Sequence, residues 1–166
     1  MASILNVDQI RNAAGTSAMT IDSSGRITKP QQIAFLASNG SGTHTTNVGA
    51  VLDFSSVKIN QGNNYNSSTY TFTAPVAGLY NFYFQVYAHG ATTSKAIAYQ
   101  KNGSDYLIED TAIGHQGTVN IGDNTISSNL LMELAVNDAI RIAVRTGSSN
   151  LSWYGGHSWF QGYFIG

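Results

Sequence analysis

From residue 31 onward, short stretches of the chain alternate apolar and polar residues, with turn-forming residues between them. The pattern is clearest over residues 79–88, where Phe82 and Phe84 fall on one face of an extended strand and Tyr83 and Tyr87 on the other. A period of two predicts half-buried strands, and many such strands predict an all-β sandwich or barrel. The predicted strands cover residues 32–37, 49–54, 57–60, 69–74, 79–88, 94–101, 105–113, 126–135, 139–146 and 158–165.

Asn-Gly and Gly-Gly dipeptides mark several of the predicted turns. Asn39-Gly40, Asn102-Gly103 and Gly155-Gly156 supply residues that accept a positive φ at low cost. Asn-Gly within "KNGSD", between two predicted strands, is a strong hairpin signal. Helical periodicity is nearly absent.

Residues 1–30 differ from the rest, because their apolar residues are too scattered to build a core alone. "AMTIDSSGRIT" predicts a strand, a turn that Asp22 opens and Gly25 closes, and a second strand. Pro30 marks the predicted boundary. The chain is therefore divided into an anchor or shaft segment (1–30) and a main domain (31–166), and the segment is either a disordered tail or a shaft ordered by association.

Composition narrows the possible partners. Charged residues make up 10% of the 166 residues and the formal net charge is −1, so neither nucleic acid nor acidic lipid is expected as a partner. The absence of cysteine excludes disulfides and thiolate zinc sites. No basic, apolar leader and no run of about 18 apolar residues occurs, which predicts a product made in the cytoplasm and not inserted in a membrane.

Five motifs in order now resemble the C1q-like branch of the complement and tumour-necrosis-factor superfamily. They are "QIAFLAS" (32–38), "FTAPVAGLYNF" (72–82), "KNG" (101–103), "LAVNDAI" (134–140) and "FQGYF" (160–164). The resemblance covers about residues 31–166. It implies a ten-stranded antiparallel jelly roll that forms a homotrimer.

The implied trimer gives the outward aromatic residues a place to pack. Contiguous exposed apolar groups usually mark interfaces, although each ring taken alone could equally lie under loops of its own subunit. The interface is predicted to contain Tyr83, Tyr87, Trp159, Tyr163 and Ile165, with Met19, Ile21 and Ile27 from the N-terminal segment.

The N-terminal "LNVDQIRNAAGTSAMTIDSSGRITKP" looks like segments that precede trimeric tips in structural proteins of bacteriophages, particularly cyanophages. Animal relatives of the C1q type usually carry a signal peptide and often a collagen-like repeat, and this sequence shows neither. The two resemblances imply a virion protein that is made in the host cytoplasm and that contacts other virion proteins through residues 1–30.

Candidates for catalysis or metal binding are weak. The four histidines, among them His44 and His89, show no HxH or HExxH spacing. Glu109 and Asp110 are adjacent, so on a strand they point to opposite faces and cannot act as a glycosidase pair. Some relatives bind calcium through loop aspartates, but no DxDxDG run occurs here; no cofactor is expected, and calcium is the one ion left open.

Four predicted loops combine amide and hydroxyl side chains with rings, which suits recognition of sugars. The candidate receptor-binding residues are Tyr65, His115, Trp153, Tyr154 and His157. For each ring, burial inside the jelly roll is an equally good interpretation.

The hypothesis that follows is a trimeric, non-catalytic tail-fibre tip that binds a glycan-like receptor on the host surface. A capsid or tail decoration (knob) protein, anchored by its N-terminal segment, is the alternative. A polysaccharide depolymerase is the enzymatic alternative and lacks an acid pair.

Overall fold

The structure is a computed structural model, and it describes residues 7–90, 95–108, 111–112, 124–147 and 150–166. In this described part the only helix is a single 3-10 turn at Gly155–His157. The strands are β1 Gln9–Arg11, β2 Ser17–Ile21, β3 Ile27–Thr28, β4 Ala34–Ser38, β5 Thr43–Thr46, β6 Ser56–Gln61, β7 Tyr65–Asn66, β8 Thr71–Thr73, β9 Gly78–Ala88, β10 Lys95–Lys101, β11 Ser104–Asp105, β12 Leu107–Ile108, β13 Thr111–Ala112, β14 Asn124–Leu134, β15 Ala139–Gly147, β16 Leu151–Tyr154 and β17 Trp159–Phe164.

Two antiparallel sheets form the main body, which is an all-β jelly roll as predicted. In the seven-stranded sheet the strands follow the order β5-β16-β9-β17-β4-β6. Both β16 and β17 pair along one edge of β9, and β14 pairs along its opposite edge. The five-stranded sheet has the order β11-β10-β15-β8-β7, and β12 and β13 pair with each other. Many neighbouring strands are distant in sequence, so long-range pairing sets the strand order of both sheets.

The core lies between these two sheets and is unusually aromatic. Phe35 stacks on Tyr65 with ring centroids 4.8 Å apart and meets Phe160 edge-on at the same distance. Tyr99 of the five-stranded sheet donates its hydroxyl to the Ser128 carbonyl at 2.8 Å, which joins the two layers. Burial raises the pKa of the Tyr99 hydroxyl, so it stays protonated and able to donate.

The "FQGYF" motif has a packing reason. Gly162 lies on the inner face of β17, and a Cβ placed there would clash with the Phe82 ring and fall 2.8 Å from the Phe35 ring. Only glycine lets those two rings cross the strand. The glycine of the motif therefore lets the aromatic rings of the core pack directly against the backbone of β17.

Two motifs that lie far apart in sequence meet at the end of β10 and β15. Asn102, with φ 53°, donates from Nδ2 to Asp138 Oδ1 at 2.7 Å and accepts from the Ala139 amide at 2.8 Å. Lys101 Nζ pairs with Asp138 Oδ2 at 2.8 Å. These contacts, first from Lys101 and then from Asn102, lower the pKa of Asp138 to about 2.

The N-terminal segment is a three-stranded meander of β1, β2 and β3. Asp22 forms the predicted turn, because its carbonyl accepts from Gly25 N at 2.8 Å and its carboxylate from Arg26 N at 2.9 Å and Arg26 Nε at 2.7 Å. None of its residues from position 7 to 30 is buried. The register places four apolar side chains on one face of the meander: Ile10, Met19, Ile21 and Ile27.

Some predicted elements were wrong. Residues 49–54 form no strand, because Gly49 and Ala50 turn the chain and only Val51 bridges to Ala143. Strands β5 and β16 instead occupy predicted loops, since their four residues each are too few to stand out among Ser, Asn and Gly. The predicted strand 105–113 is divided among β11, β12 and β13.

Candidate association face and recognition residues

The outward face of the seven-stranded sheet displays three rows of side chains that cross β14, β9, β17 and β4. Directly opposed residues share a face in an antiparallel sheet, so the rows follow from the register. They are Leu131, Asn81, Tyr163 and Ala34; Asn129, Tyr83, Gln161 and Leu36; and Ser127, Gln85, Trp159 and Ser38. We call this surface the association face.

Aromatic and aliphatic groups are contiguous on the association face. Leu131 is 54% exposed and Tyr163 45%, and both flank Asn81. Tyr83 and Trp159 are half-buried, with ring centroids 6.1 Å apart. Large apolar side chains that are exposed to solvent in the single subunit mark a surface that another protein can cover.

Charge is nearly absent from the association face. Among the outward positions of β14, β9, β17 and β4, the only charged residue is Glu133, near the end of β14. Depletion of charge with enrichment of aromatic residues is typical of interface centres.

The face also contains a depression of about 360 Å³ beside Trp159. Leu36 and the indole of Trp159 supply its apolar wall, and Gln161 and Lys58 supply an amide and an ammonium group. Such a mixture can accept either a side chain or a small polar ligand.

The predicted interface residues occupy three places. Tyr83, Trp159 and Tyr163 lie within the rows, and Tyr87 continues the same face of β9 at its far end. Ile165 is half exposed just beyond β17, where its amide donates to the Leu79 carbonyl at 2.8 Å. The predicted residues of the N-terminal segment, Met19, Ile21 and Ile27, share the apolar face of the meander.

Sequence reasoning missed Leu131, Leu36 and Gln161 as members of the association face. The signal existed for Leu131, because "TISSNLLMEL" alternates in register with β9. It was hidden because Leu130 and Leu131 are adjacent, and the sequence alone does not say which one faces inward.

Two of the predicted receptor-binding residues, Tyr154 and His157, form a partly exposed aromatic cluster. The ring centroids of Tyr154 and His157 are 4.8 Å apart, and those of Tyr87 and His157 are 5.4 Å apart. Ser158 holds the cluster together, because its Oγ accepts from the Tyr87 amide at 2.9 Å and donates to the Tyr154 carbonyl at 2.8 Å. Flat rings beside a turn suit stacking against a sugar.

The structure corrects the assignment of Tyr65 and Trp153 as receptor contacts. Trp153 has no exposed surface and donates from Nε1 to Thr46 Oγ1 at 3.0 Å. Tyr65 is 4% exposed and donates its hydroxyl to the Phe54 carbonyl at 2.8 Å. Both rings belong to the core, because β16 and β7 turn them inward from polar surroundings.

Other candidates lie outside the described residues or form no site. His115, Glu109 and Asp110 are outside the described residues. Within the described ranges, no group of three or more His, Cys, Asp or Glu side chains could hold a metal ion. The same residues include no helix long and apolar enough to cross a membrane.

Comparison with known proteins identifies the family of this domain. The family model described as the C1q domain matches residues 34–165, which is most of the chain. The chain belongs to the C1q domain family. Complement C1q tumor necrosis factor-related protein 3 of Mus musculus is 31% identical over 118 residues, and so is the Homo sapiens protein of the same name. The match covers 70% of this chain but only 45% of either relative, so the chain spans about half the length of these relatives.

Solved structures agree on the fold. The globular domain of zebrafish complement 1qA protein is 14% identical, with a TM-score of 0.62 over 81% of this chain and 98% of that domain. Eiger TNF from S. frugiperda is also 14% identical, with a TM-score of 0.59 over 82% of this chain and 94% of the other. At these identities the likeness concerns the jelly roll alone.

Proposed function

We propose that this chain is a non-catalytic attachment protein that works as a homotrimer, with the association face packed against neighbouring subunits. The observation that carries the proposal is the uncharged, partly aromatic outward face that Leu131, Tyr163, Tyr83 and Trp159 form in the single subunit. Domains of the C1q and tumour-necrosis-factor type typically associate as trimers, which supports three as the number of subunits.

The N-terminal meander joins the same assembly in this proposal. It consists of strands of three, five and two residues, and so small a sheet is marginal in water on its own. Three copies whose apolar faces meet at a common axis would cover Ile10, Met19, Ile21 and Ile27. The edge strands of the meander would also find partners.

For the biological setting, we place the trimer at the tip of a bacteriophage tail fibre, where it binds a glycan-like receptor on the host surface. The support is the likeness of residues 1–30 to segments that precede trimeric fibre tips. The cluster of Tyr154 and His157 offers the rings, and three copies multiply weak contacts through avidity.

The mass of the protein in solution tests the trimer. Light scattering at micromolar concentration should give three times the 17.7 kDa of one chain. Gln161→Glu replaces an amide at the centre of the association face by a carboxylate of the same shape. This variant should dissociate the trimer, because the three buried carboxylates repel one another. Asn66→Asp, the same change of amide to carboxylate at an exposed position on β7 of the opposite sheet, is the matched control. A folded single subunit at this concentration contradicts the proposal.

The apolar meander face favours a second setting, a decoration or knob protein on the capsid or tail, because such a face can also anchor the chain to other virion proteins. Purified protein that competes with phage adsorption supports the fibre tip. Labelled antibody spread over the head of intact particles, with adsorption unimpeded, supports decoration instead.

A further inference from the structure

Half of the chain's Lys and Arg residues lie on two adjacent strands of the five-stranded sheet, on the opposite side of the sandwich from the association face. The chain has eight such residues, and four of them are on β10 and β15: Lys95, Lys101, Arg141 and Arg145. Lys101 is paired with Asp138. Arg141, in contrast, takes part in a hydrogen-bonded row on the outward face of the sheet, and Arg145 forms an ion pair with the end of that row.

In that row each guanidinium is held through Nε. Arg141 Nε donates to Gln100 Oε1 at 2.9 Å, and Gln100 Nε2 donates to Asp105 Oδ1 at 3.0 Å. Arg145 Nε lies 3.2 Å from the other oxygen, Asp105 Oδ2. In the part of the chain that the structure describes, neither arginine makes a further hydrogen bond from its terminal nitrogens. Both guanidinium groups are oriented by their Nε contacts, and no described residue accepts a hydrogen bond from their terminal nitrogens.

The backbone explains why Arg145 can reach Asp105. The register of β10 and β15 shifts between Ala96 and Ile97, which leaves Arg145 as the extra residue of a bulge. Bulges re-aim a side chain, and here the re-aimed side chain crosses the sheet toward β11. Ala98 and Ala143, opposed at the centre of this face, leave room for the arginine stems. This surface is built for two oriented guanidinium groups.

The charge balance of the row favours an anion. Among the residues that the structure describes, two guanidinium groups face one carboxylate, Asp105, so this part of the row has an excess positive charge. The planar donor pair of an arginine matches the oxygens of a carboxylate or a sulfate ester. Two arginines are too few to bind a polyanion such as nucleic acid, but they are enough to recognise a single acidic group.

We propose that Arg141 and Arg145 bind the acidic group, carboxylate or sulfate ester, of a charged sugar. The choice of a sugar as the carrier rests on the attachment function proposed above, whereas the anion chemistry does not. Because the site lies on the sheet opposite the association face, trimer formation leaves it accessible. A trimer would present three such sites.

The arginine Nε–Hε signals of ¹⁵N-labelled protein report the site directly. Titration with sodium glucuronate or sodium sulfate, at constant ionic strength set with NaCl, should move the signals of Arg141 and Arg145. Glucose, which has no charge, should leave them in place. Signals that follow ionic strength alone, or that respond equally to glucose, overturn the proposal.

Variants separate binding from structure. Arg145→Gln and, independently, Arg141→Gln should each weaken glucuronate binding by about tenfold or more, because a charge-assisted pair is lost. Arg11→Gln, which removes an exposed cation from the meander, is the control and should bind as the wild type does. Asp105→Asn keeps an oxygen acceptor but removes the competing carboxylate, so it should bind several-fold more tightly.

The outcomes distinguish this site from the proposed function. Equal losses in Arg145→Gln and Arg11→Gln would mean diffuse attraction and contradict a site. Binding of sulfate without glucuronate would overturn a sugar carboxylate as the ligand. The dissociated Gln161→Glu subunit should still bind glucuronate, because each subunit holds a whole site; loss of binding there would overturn a site built from one chain.

Discussion

The two faces of β9 carry similar residue types and have opposite environments. On the inner face, Tyr80, Phe82 and Phe84 have no exposed surface. On the outer face, Tyr83 and Tyr87 are half-buried and contact Trp159 and His157 respectively. Apolar content therefore does not identify the core by itself. The face of β9 that packs against the second sheet forms the core. The rings on the other face belong to the association face.

The largest effect is expected from truncation of the inner face. Phe82→Ala should lower the free energy of unfolding by about 3–5 kcal/mol, because the ring packs within 5.5 Å of Phe72 and 6.1 Å of Phe160 and leaves a cavity. Denaturant titration followed by circular dichroism measures the change.

Tyr83→Ala, one position along the same strand, is the matched control for the outer face. In the dissociated Gln161→Glu background it should cost less than about 1 kcal/mol, because a half-exposed side chain loses little on truncation. In the wild-type background it should make the melting temperature depend more strongly on protein concentration. Equal losses for Phe82→Ala and Tyr83→Ala in the dissociated subunit would contradict the distinction between the faces.

A smaller effect concerns the clasp of Asp138 at the rim of the sandwich. Its pKa is lowered to about 2 from the ordinary 3.8, so the carboxylate stabilises the fold above about pH 4 and that contribution is lost as the pH falls toward 2. Asp138→Asn should cost about 1–2 kcal/mol at pH 7 and flatten the acid limb of the stability curve.

The control for the clasp is Asp8→Asn, an exposed position in the meander, which should change stability by less than about 0.5 kcal/mol. Thermal melts from pH 2 to pH 7 provide the comparison. An acid limb that keeps its slope in Asp138→Asn would show that other carboxylates determine it.

The smallest effect on stability is expected in the meander. Ile21→Ser should leave jelly-roll unfolding within about 0.5 kcal/mol of wild type, since no residue of the meander joins the core. If subunits cover the apolar face, trypsin should cleave after Arg26 several-fold faster in this variant. Thr20→Ser, on the opposite face of β2, is the control and should be cleaved at the wild-type rate. If Ile21→Ser is also cleaved at the wild-type rate, neighbouring subunits do not cover the apolar face.

Much of the fold could be predicted from period and turn chemistry. The strand at Gly78–Ala88 and the turn at Asp22 are as predicted, because alternation and side-chain capping act over a few residues. Trp153 and Tyr65 were assigned to recognition loops and lie in the core instead. The cause is local: each sits among polar residues, and only the pairing of β16 with β5 and of β7 with β8 turns the ring inward.

The arginine row shows the same limit. Arg141, Gln100 and Asp105 lie on three different strands, and no spacing in the sequence relates them. The association face likewise needs β4, β9, β14 and β17 side by side. Pairing over long sequence separations sets which side chains meet, so sites of this kind emerge only from the assembled sheets.

By itself, the sequence determined the class of fold and the alternation that separates inward from outward residues, because these depend on neighbours within one strand. The sequence supplied Gly162, but the need for a glycine there is visible only in the assembled sheets, where the Phe82 and Phe35 rings lie against β17. Which face became the core and where Arg145 points were decided by tertiary structure. The physical reason is that burial and charge pairing depend on strands brought together across the whole chain.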